Sequence, residues 1–487
     1  MLDAQYSKIT SRYLIVIAMT YAACLFTIFV NRGPCLDEFW TMWMTDPHLS
    51  LKYAYQRRWS TDLHPPLYYF LTWLLRHITN DNFTYVRLIN IFPFVIFIPT
   101  LVLWKKYCGI GPWLATFLTV LVSSPFFLAN SVDLRSYYSL TVLGACLVML
   151  TRIGRSIPAV SILDNKWLIF VTVVTILISL NLHYSASLVY LWVISVEIIK
   201  SMRDRNFRWV VILSATTFIA GLILLWCLWH TFKTVPNFSY LNTAPSRSAK
   251  FIIAGVALST LPNLGINLAI LLSFVRRRSV NVSIWAWSLA TLGIAALALF
   301  FQSLLNHAMG LNYVMDLIPI GSAFIADIVS GFIFSDGLLV ILMGLSAISS
   351  QYITAYHELE NKRWLLYSNI FRDIKHLCPS AQFVGVDQNS LPEFAHHPLV
   401  SGWIGVFPEG YAEVGRLSNV EFIVTSATNY TDITLDKCPL MLLSDHEVTP
   451  TRLSMPDLLR EAKISIKNYR YFTAYGHDYQ RLFVFYP

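Results

Sequence analysis

Tyr13 to Val30 reads YLIVIAMTYAACLFTIFV, without one charged side chain, and is followed at once by Asn31-Arg32-Gly33-Pro34-Cys35-Leu36-Asp37-Glu38. A helix needs about 20 mostly apolar residues to cross the hydrocarbon core of a bilayer, and this stretch supplies them. Arg32 follows where a signal peptide would show a small-residue cleavage site, so the segment reads as a retained span. The same pattern recurs over about 87–104, 110–130, 136–151, 167–182, 185–199, 209–230, 251–275, 283–305, 313–332 and 337–356. Together with the first at 11–31, these give about 11 spans. Leu67 to Ile78 has helical spacing and Pro65-Pro66 at its start, but is too short to cross, and it reads as an interfacial helix.

Composition agrees. Of 487 residues 55% are hydrophobic and 13% charged, and the mean hydropathy is +0.54. Soluble domains carry about 25% charge, so disorder, a disulfide-rich miniprotein and a simple soluble enzyme are excluded. The net charge of +8 is unevenly placed: about +11 over 1–356 and about −3 over 357–487. That division sets the domains: 1–356 as a multi-spanning body with a large first outer loop at 32–86, and 357–487 as a soluble-like α/β domain. The positive charge is not a nucleic-acid surface. Lys8 and Arg12, Lys105 and Lys106, Arg152, Arg155 and Lys166, Lys200 to Arg208, and Arg276 to Arg278 fall on alternate connections. Lys and Arg favour cytoplasmic loops. The N-terminus is therefore expected in the cytoplasm and the C-terminal domain outside it.

This topology gathers unusual polar residues on the outer face. They are Asp37 and Glu38, the string Thr61-Asp62-Leu63-His64-Pro65-Pro66-Leu67-Tyr68-Tyr69, the turn Asp133-Leu134-Arg135-Ser136-Tyr137-Tyr138, then His183-Tyr184, Lys233, Arg247, Lys250 and Tyr313. Carboxylates and cations near a membrane are rare unless paired or functional. Asp37 or Glu38 can take a hydroxyl proton. Arg135, Lys233, Arg247 and Lys250 suit a phosphate. His64, Tyr68, Tyr137, His183 and Tyr184 offer ring faces and polar tips to a sugar. These parts suit transfer of a group from a lipid phosphate at a membrane surface.

The order of these strings resembles the GT-C superfamily of polyprenyl-phosphate-sugar glycosyltransferases. The likeness is to the bacterial branch related to protein O-mannosyltransferases, the aminoarabinose lipid A transferase and rhizobial lipopolysaccharide galacturonosyltransferases. Asp37-Glu38 stands at the family's acidic motif after the first helix, His64 to Tyr69 is the most distinctive string, Asp133 to Tyr137 matches its Arg-x-Tyr turn, and Asn181 to Tyr184 its His-Tyr pair. The resemblance implies a polyprenyl-phosphate-linked sugar donor, a glycan, lipid or protein acceptor, and Asp37 as general base. Near Leu311-Asn312-Tyr313 the family often has Arg-Tyr; Lys233, Arg247 or Lys250 would replace that arginine. Some members use a divalent metal (Mg or Mn) and others none, and an Asp-Glu pair alone defines no metal site. A transporter or flippase of lipid-linked sugars is the rival, to which Asp316, Asp327 and Glu197 inside spans lend support; a non-catalytic binding subunit is a third reading.

Of seven cysteines, Cys378 and Cys438 share the outer domain and could pair there. In that domain the pattern gives a helix over Glu358–His376, strands near Gln382–Val386, Glu421–Thr425 and Leu440–Leu443, a helix over Pro456–Lys463, and a hairpin of Tyr469–Tyr475 with Arg481–Tyr486. The orientation has a direct check. A phosphatase reporter fused after residue 361 is expected to be active and one fused after Cys108 inactive; the opposite pattern would overturn it.

Overall fold

The computed structural model describes residues 2–32, 36–62, 64–79, 82–158, 161–234, 245–260, 263–275, 289–297, 299, 315–334, 336–361, 374–386, 423–425, 438–444, 470–475 and 481–486. Most of them are helical. Five helices among them are long and apolar enough to cross a membrane: Ile9–Asn31, Thr84–Tyr107, Ser136–Ser156, Phe207–His230 and Gly337–Leu359. A sixth arises if Pro112–Ser123 and Pro125–Val132, bent by 65°, form one span. The bend lies inside the segment expected to be one span, 110–130. Pro125 has no N–H for the helical ladder and pushes the preceding residue out of helical geometry, and Ser124 is accordingly extended (φ −66°, ψ 122°).

The described helices are α1 (Leu2–Asn31), α2 (Leu36–Met44), α3 (Leu51–Arg57), α4 (Leu67–Ile78), α5 (Phe83–Val86), α6 (Phe94–Tyr107), α7 (Pro112–Ser123), α8 (Pro125–Ala129), α9 (Ser136–Ser156), α10 (Lys166–Ser179), α11 (Tyr184–Arg203), α12 (Phe207–Thr234), α13 (Pro245–Thr260), α14 (Leu264–Val275), α15 (Ile318–Ile333) and α16 (Gly337–Asn361). The expected span 251–275 is thus carried by two helices, α13 and α14, and 283–305 is described only as helix over 289–297.

The chain divides into two units. The first comprises Met1–Thr27, Leu49–Pro236 and Thr243–Ala355. Its centre is α9, in which almost every residue is buried. By contrast, Ile15, Val16, Met19 and Phe26 of α1 and Phe218, Leu222, Leu225, Trp226 and Trp229 of α12 are exposed. Large apolar faces turned outward around a buried helix are what a lipid solvent stabilises and water does not. A second apolar core joins α7, α14, α15 and α16 through Val120, Ile266, Ile270, Ile325, Ile328 and Met343.

The second unit comprises Ile28–His48, Asn237–Asn242 and Tyr356–Pro487. Its described strands are β1 (Gln382–Val386), β2 (Ile423–Thr425), β3 (Leu440–Ser444), β4 (Arg470–Tyr475) and β5 (Arg481–Tyr486), in the sheet order β2-β1-β3-β5-β4. β1 lies parallel to β2 and β3; β5 lies antiparallel to β3 and β4. A disulfide joins Cys378 to Cys438. The expected helix Pro456–Lys463 lies outside the described residues.

Helix α9 permits close approach through its glycines. A methyl group added at Gly154 would overlap the indole of Trp209, a fully buried ring. Overpacking a filled core costs about 1–3 kcal/mol. Gly154→Ala is therefore expected to lower the thermal unfolding midpoint, whereas Gly221→Ala, where a methyl meets open space, leaves it close to wild type.

Candidate functional site

Three helix starts meet in the first unit. Helix α4 begins after His64-Pro65-Pro66, with Pro66 at its N-cap. Arg135 is the N-cap of α9, in extended geometry (φ −139°, ψ 154°). His183 precedes α11, and its carbonyl accepts from the Ser187 amide (3.1 Å) and hydroxyl (2.9 Å). Helix N-termini carry unpaired N–H groups and partial positive charge, so their convergence favours an anion.

Asp62 ties these starts together. Its Oδ2 accepts from His64 Nδ1 at 2.9 Å and from the Tyr69 hydroxyl at 2.5 Å. The Tyr69 hydroxyl accepts in turn from Arg135 Nη1 at 3.4 Å. The His64 and His183 rings stand 4.9 Å apart, and Tyr137 lies 5.4 Å from His183. Burial, the largest single influence on Asp62, raises its pKa, but the His64 ring, the two hydrogen bonds and the Arg135 charge together hold it at about 2. The carboxylate is ionised and can only accept, so the proton of the His64–Asp62 bond sits on Nδ1. That leaves His64 Nε2 for a ligand. His183 is pushed well below the ordinary histidine range, first by burial and then by His64 and Arg135, against the opposing pull of Asp62; it is neutral at pH 7.

A second layer fixes α4 against α9. The Tyr68 hydroxyl donates to Asn90 Oδ1 (3.3 Å), and Asn90 Nδ2 donates to the carbonyls of Ser131 (3.0 Å) and Asp133 (2.6 Å). Tyr68 is thus buried and structural in its contacts. Tyr184, the first residue of α11, is half-buried. In the sequence Asp62 and Tyr69 stood out only as part of the string from Thr61 to Tyr69, and Asn90 did not stand out. The signal for Asp62 was present as an Asp two residues before a His; Asn90 shows its role only through carbonyls about 40 residues away.

The remaining candidates are placed differently. Glu38 lies in α2, in the second unit, wholly buried with its carboxylate 3.6 Å from Arg32, whose Nε is 3.5 Å from Glu358. The backbone of Asp37 belongs to α2, that of Lys233 to α12 and that of Arg247 to α13, and their side chains lie outside the described residues. Lys250 is exposed on α13, and Tyr313 lies outside the described residues. Among the described residues no three His, Cys, Asp or Glu side chains come together in a way that could hold a metal ion. Two of the acids expected within spans form ion pairs, Asp327 with Arg152 (2.6 Å) and Glu197 with Arg155 (3.4 Å), and the third, Asp316, is buried.

Compared with solved structures, the chain is similar to ArnT from Cupriavidus metallidurans bound to undecaprenyl phosphate, at a TM-score of 0.54 and 12% identity over 98% of each chain. The chain has an ArnT-like fold. The apo state of the same protein gives a TM-score of 0.51 and 11% identity over 98% of each chain. No protein-family model matches the sequence. No curated protein matches it either.

The Asp62 network makes a pH prediction. Its folded pKa of about 2 lies below the ordinary carboxylate value. The stabilisation is therefore complete above about pH 4 and lost as pH falls from there toward 2. The unfolding midpoint of Asp62→Asn is expected to lie below wild type at pH 7 and to converge on it in acid. A constant difference across pH 2 to 7 would contradict the assignment.

Proposed function

We propose that this protein is an integral-membrane glycosyltransferase of the GT-C type, moving a sugar from a polyprenyl-phosphate donor to a glycan, lipid or protein acceptor on the outer face of the bacterial inner membrane. The observation that carries this reading is the convergence of three helix N-termini on Arg135, His64 and His183, anchored by Asp62. That arrangement suits a phosphate beside a sugar. The ArnT-like fold supports it, since a structure of that fold was solved with undecaprenyl phosphate bound.

In this reading Arg135 binds the donor phosphate with help from the helix ends, and Lys233, Arg247, Lys250 and Tyr313 complete the phosphate site. His64 Nε2, fixed by Asp62, bonds a sugar hydroxyl, and Tyr137, His183 and Tyr184 line the ring. Asp37 accepts the proton of the acceptor hydroxyl as its oxygen attacks the anomeric carbon. The anomeric carbon–oxygen bond breaks with its electron pair leaving on the phosphate, and the configuration inverts. The polyprenyl phosphate leaves as a weak base, so cations and helix ends at the phosphate serve better than a general acid. Glu38, held by Arg32, positions the start of α2 next to Asp37. A bound divalent metal, if the protein uses one, would supply further charge at the phosphate, and no step above depends on it.

The test uses purified protein with defined polyprenyl-phosphate sugars. Wild type is expected to release sugar from at least one donor, and Asp37→Asn to lower the turnover by about 10²–10⁴-fold, the usual worth of a general base. Arg135→Gln is expected to weaken use of the donor by about 10–100-fold, the worth of a charge-assisted hydrogen bond. Translocation of the lipid-linked sugar without transfer would overturn the transferase reading in favour of a flippase. Full turnover in Asp37→Asn would overturn the base alone.

A further inference from the structure

Helix α11 is joined to α12 by only Asp204, Arg205 and Asn206. The Arg205 amide donates to the Met202 carbonyl (3.1 Å) and the Asn206 amide to the Ser201 carbonyl (2.8 Å). This pair of bonds ends a helix on a residue in the left-handed region, where glycine is the usual occupant. Here that residue is Arg205, at φ +56°, the one non-glycine residue of positive φ among the described residues. Asn206 then starts α12: its Oδ1 accepts from the Trp209 amide (3.4 Å), and its Nδ2 donates to the Gly154 carbonyl of α9 (3.3 Å). The turn is thus held from both sides, and it keeps a residue with a Cβ where a Cβ is unfavourable. A residue kept under such strain points to a use for its side chain.

The surroundings of Arg205 indicate that use. Arg203, Asp204, Arg205 and Arg208 are all exposed, Arg208 with an interaction of its own within the chain. Met202 and Phe207, on either side of the turn, are exposed as well. Phe207 continues a stripe of exposed apolar side chains along α12, formed by Val211, Phe218, Leu222, Leu225 and Trp229. Their helical spacing puts them on one face, the face turned to lipid. The turn therefore stands at the edge of the hydrocarbon. Helix α11 gives its depth. It runs for 20 residues from Tyr184, beside the candidate site, to Arg203. That is about 30 Å, the thickness of a bilayer core. With the candidate site at one boundary of the membrane, the turn lies at the other, among the headgroups. In the orientation read from the sequence this is the cytoplasmic leaflet.

We propose that the α11–α12 turn is a docking site for acidic phospholipid, in which Arg203 and Arg205 hold headgroup phosphate while Met202 and Phe207 enter the acyl layer beside it. Guanidinium groups suit this task because each presents several donors in one plane, and basic side chains next to exposed apolar ones are what an anionic membrane surface attracts. Asp204, between the two arginines, opposes the charge of the lipid and limits its affinity. The lipid contact offsets the backbone strain that glycine would avoid. The site lies apart from the proposed transfer chemistry, and its test needs no transfer assay.

The test is native mass spectrometry of the full-length protein, purified in detergent, with short-chain phosphatidylglycerol and with short-chain phosphatidylcholine, which carries no net charge. Wild type is expected to prefer phosphatidylglycerol. Arg205→Gly is expected to lower that preference about fivefold, the usual worth of one basic residue beside an anionic surface. Its thermal unfolding midpoint is expected to equal or exceed that of wild type, since glycine adopts φ +56° without strain. Arg203→Gln is expected to act on the lipid as Arg205→Gly does, Arg205→Lys to keep most of the preference, and Asp204→Asn to raise it. Equal binding of the two lipids by wild type, or a preference unchanged by Arg205→Gly, overturns the proposal. A lowered midpoint in Arg205→Gly would make Arg205 a residue of the fold and overturn it too. A dimer in the same spectra that Arg205→Gly dissolves would give the turn to a second copy of the chain, with the same consequence.

Discussion

The candidate site depends on one carboxylate. Asp62 receives hydrogen bonds from His64 and Tyr69, and through Tyr69 it is linked to Arg135, 73 positions further along the chain. A buried carboxylate is unfavourable by itself. Here two hydrogen bonds and a nearby cation more than offset that burial, so the group stays charged. Its charge in turn decides the proton position on His64 and holds three helix starts in register. Without Asp62, His64 would lose the acceptor of its Nδ1 and Tyr69 the acceptor of its hydroxyl.

Helix α9 is the mechanical counterpart. It is buried along nearly its whole length, and its glycines let α11 and α12 approach through Tyr190 and Trp209. A helix packed on all sides cannot tilt without disturbing its neighbours. Arg135 at one end and Arg152 at the other are therefore held at a fixed separation. Charge placed at both ends of such a helix, with apolar residues between, lets one rigid element serve two polar environments.

The acids within the membrane body bear on the choice between a transferase and a transporter. A transport pathway places ionisable groups along the route of its cargo. Asp327 and Glu197 instead stand at one end of α9, each beside an arginine, and the Asp62 cluster stands at the other. Polar groups at the two ends of α9 fit chemistry at a surface, whereas Asp316, buried near Tyr190 beside Gly144 in the middle of α9, is placed as a transport pathway would need it.

Much of the helical body was legible because apolar runs and prolines act locally. Helix α4 spans Leu67–Ile78, as its spacing and the preceding Pro65-Pro66 require, since proline favours a helix start. The described strands β1 to β5 fall on apolar, β-branched or aromatic runs for the same local reason. The break at Ser124-Pro125 was legible in principle, because proline breaks a helix from within, but apolarity alone had joined its two sides. Partnerships were not legible. Nothing near Asp62 names Arg135, nothing near Tyr68 names Asn90, and Arg152 and Asp327 are 175 positions apart. The sequence by itself determined which segments could be helices or strands and which residue types could carry phosphate and sugar chemistry, because these follow from local spacing and side-chain chemistry. Only the tertiary structure decided that Asp62 orients His64 and that Arg152 pairs with Asp327, because hydrogen bonds and ion pairs depend on distance in space, which chain position does not encode.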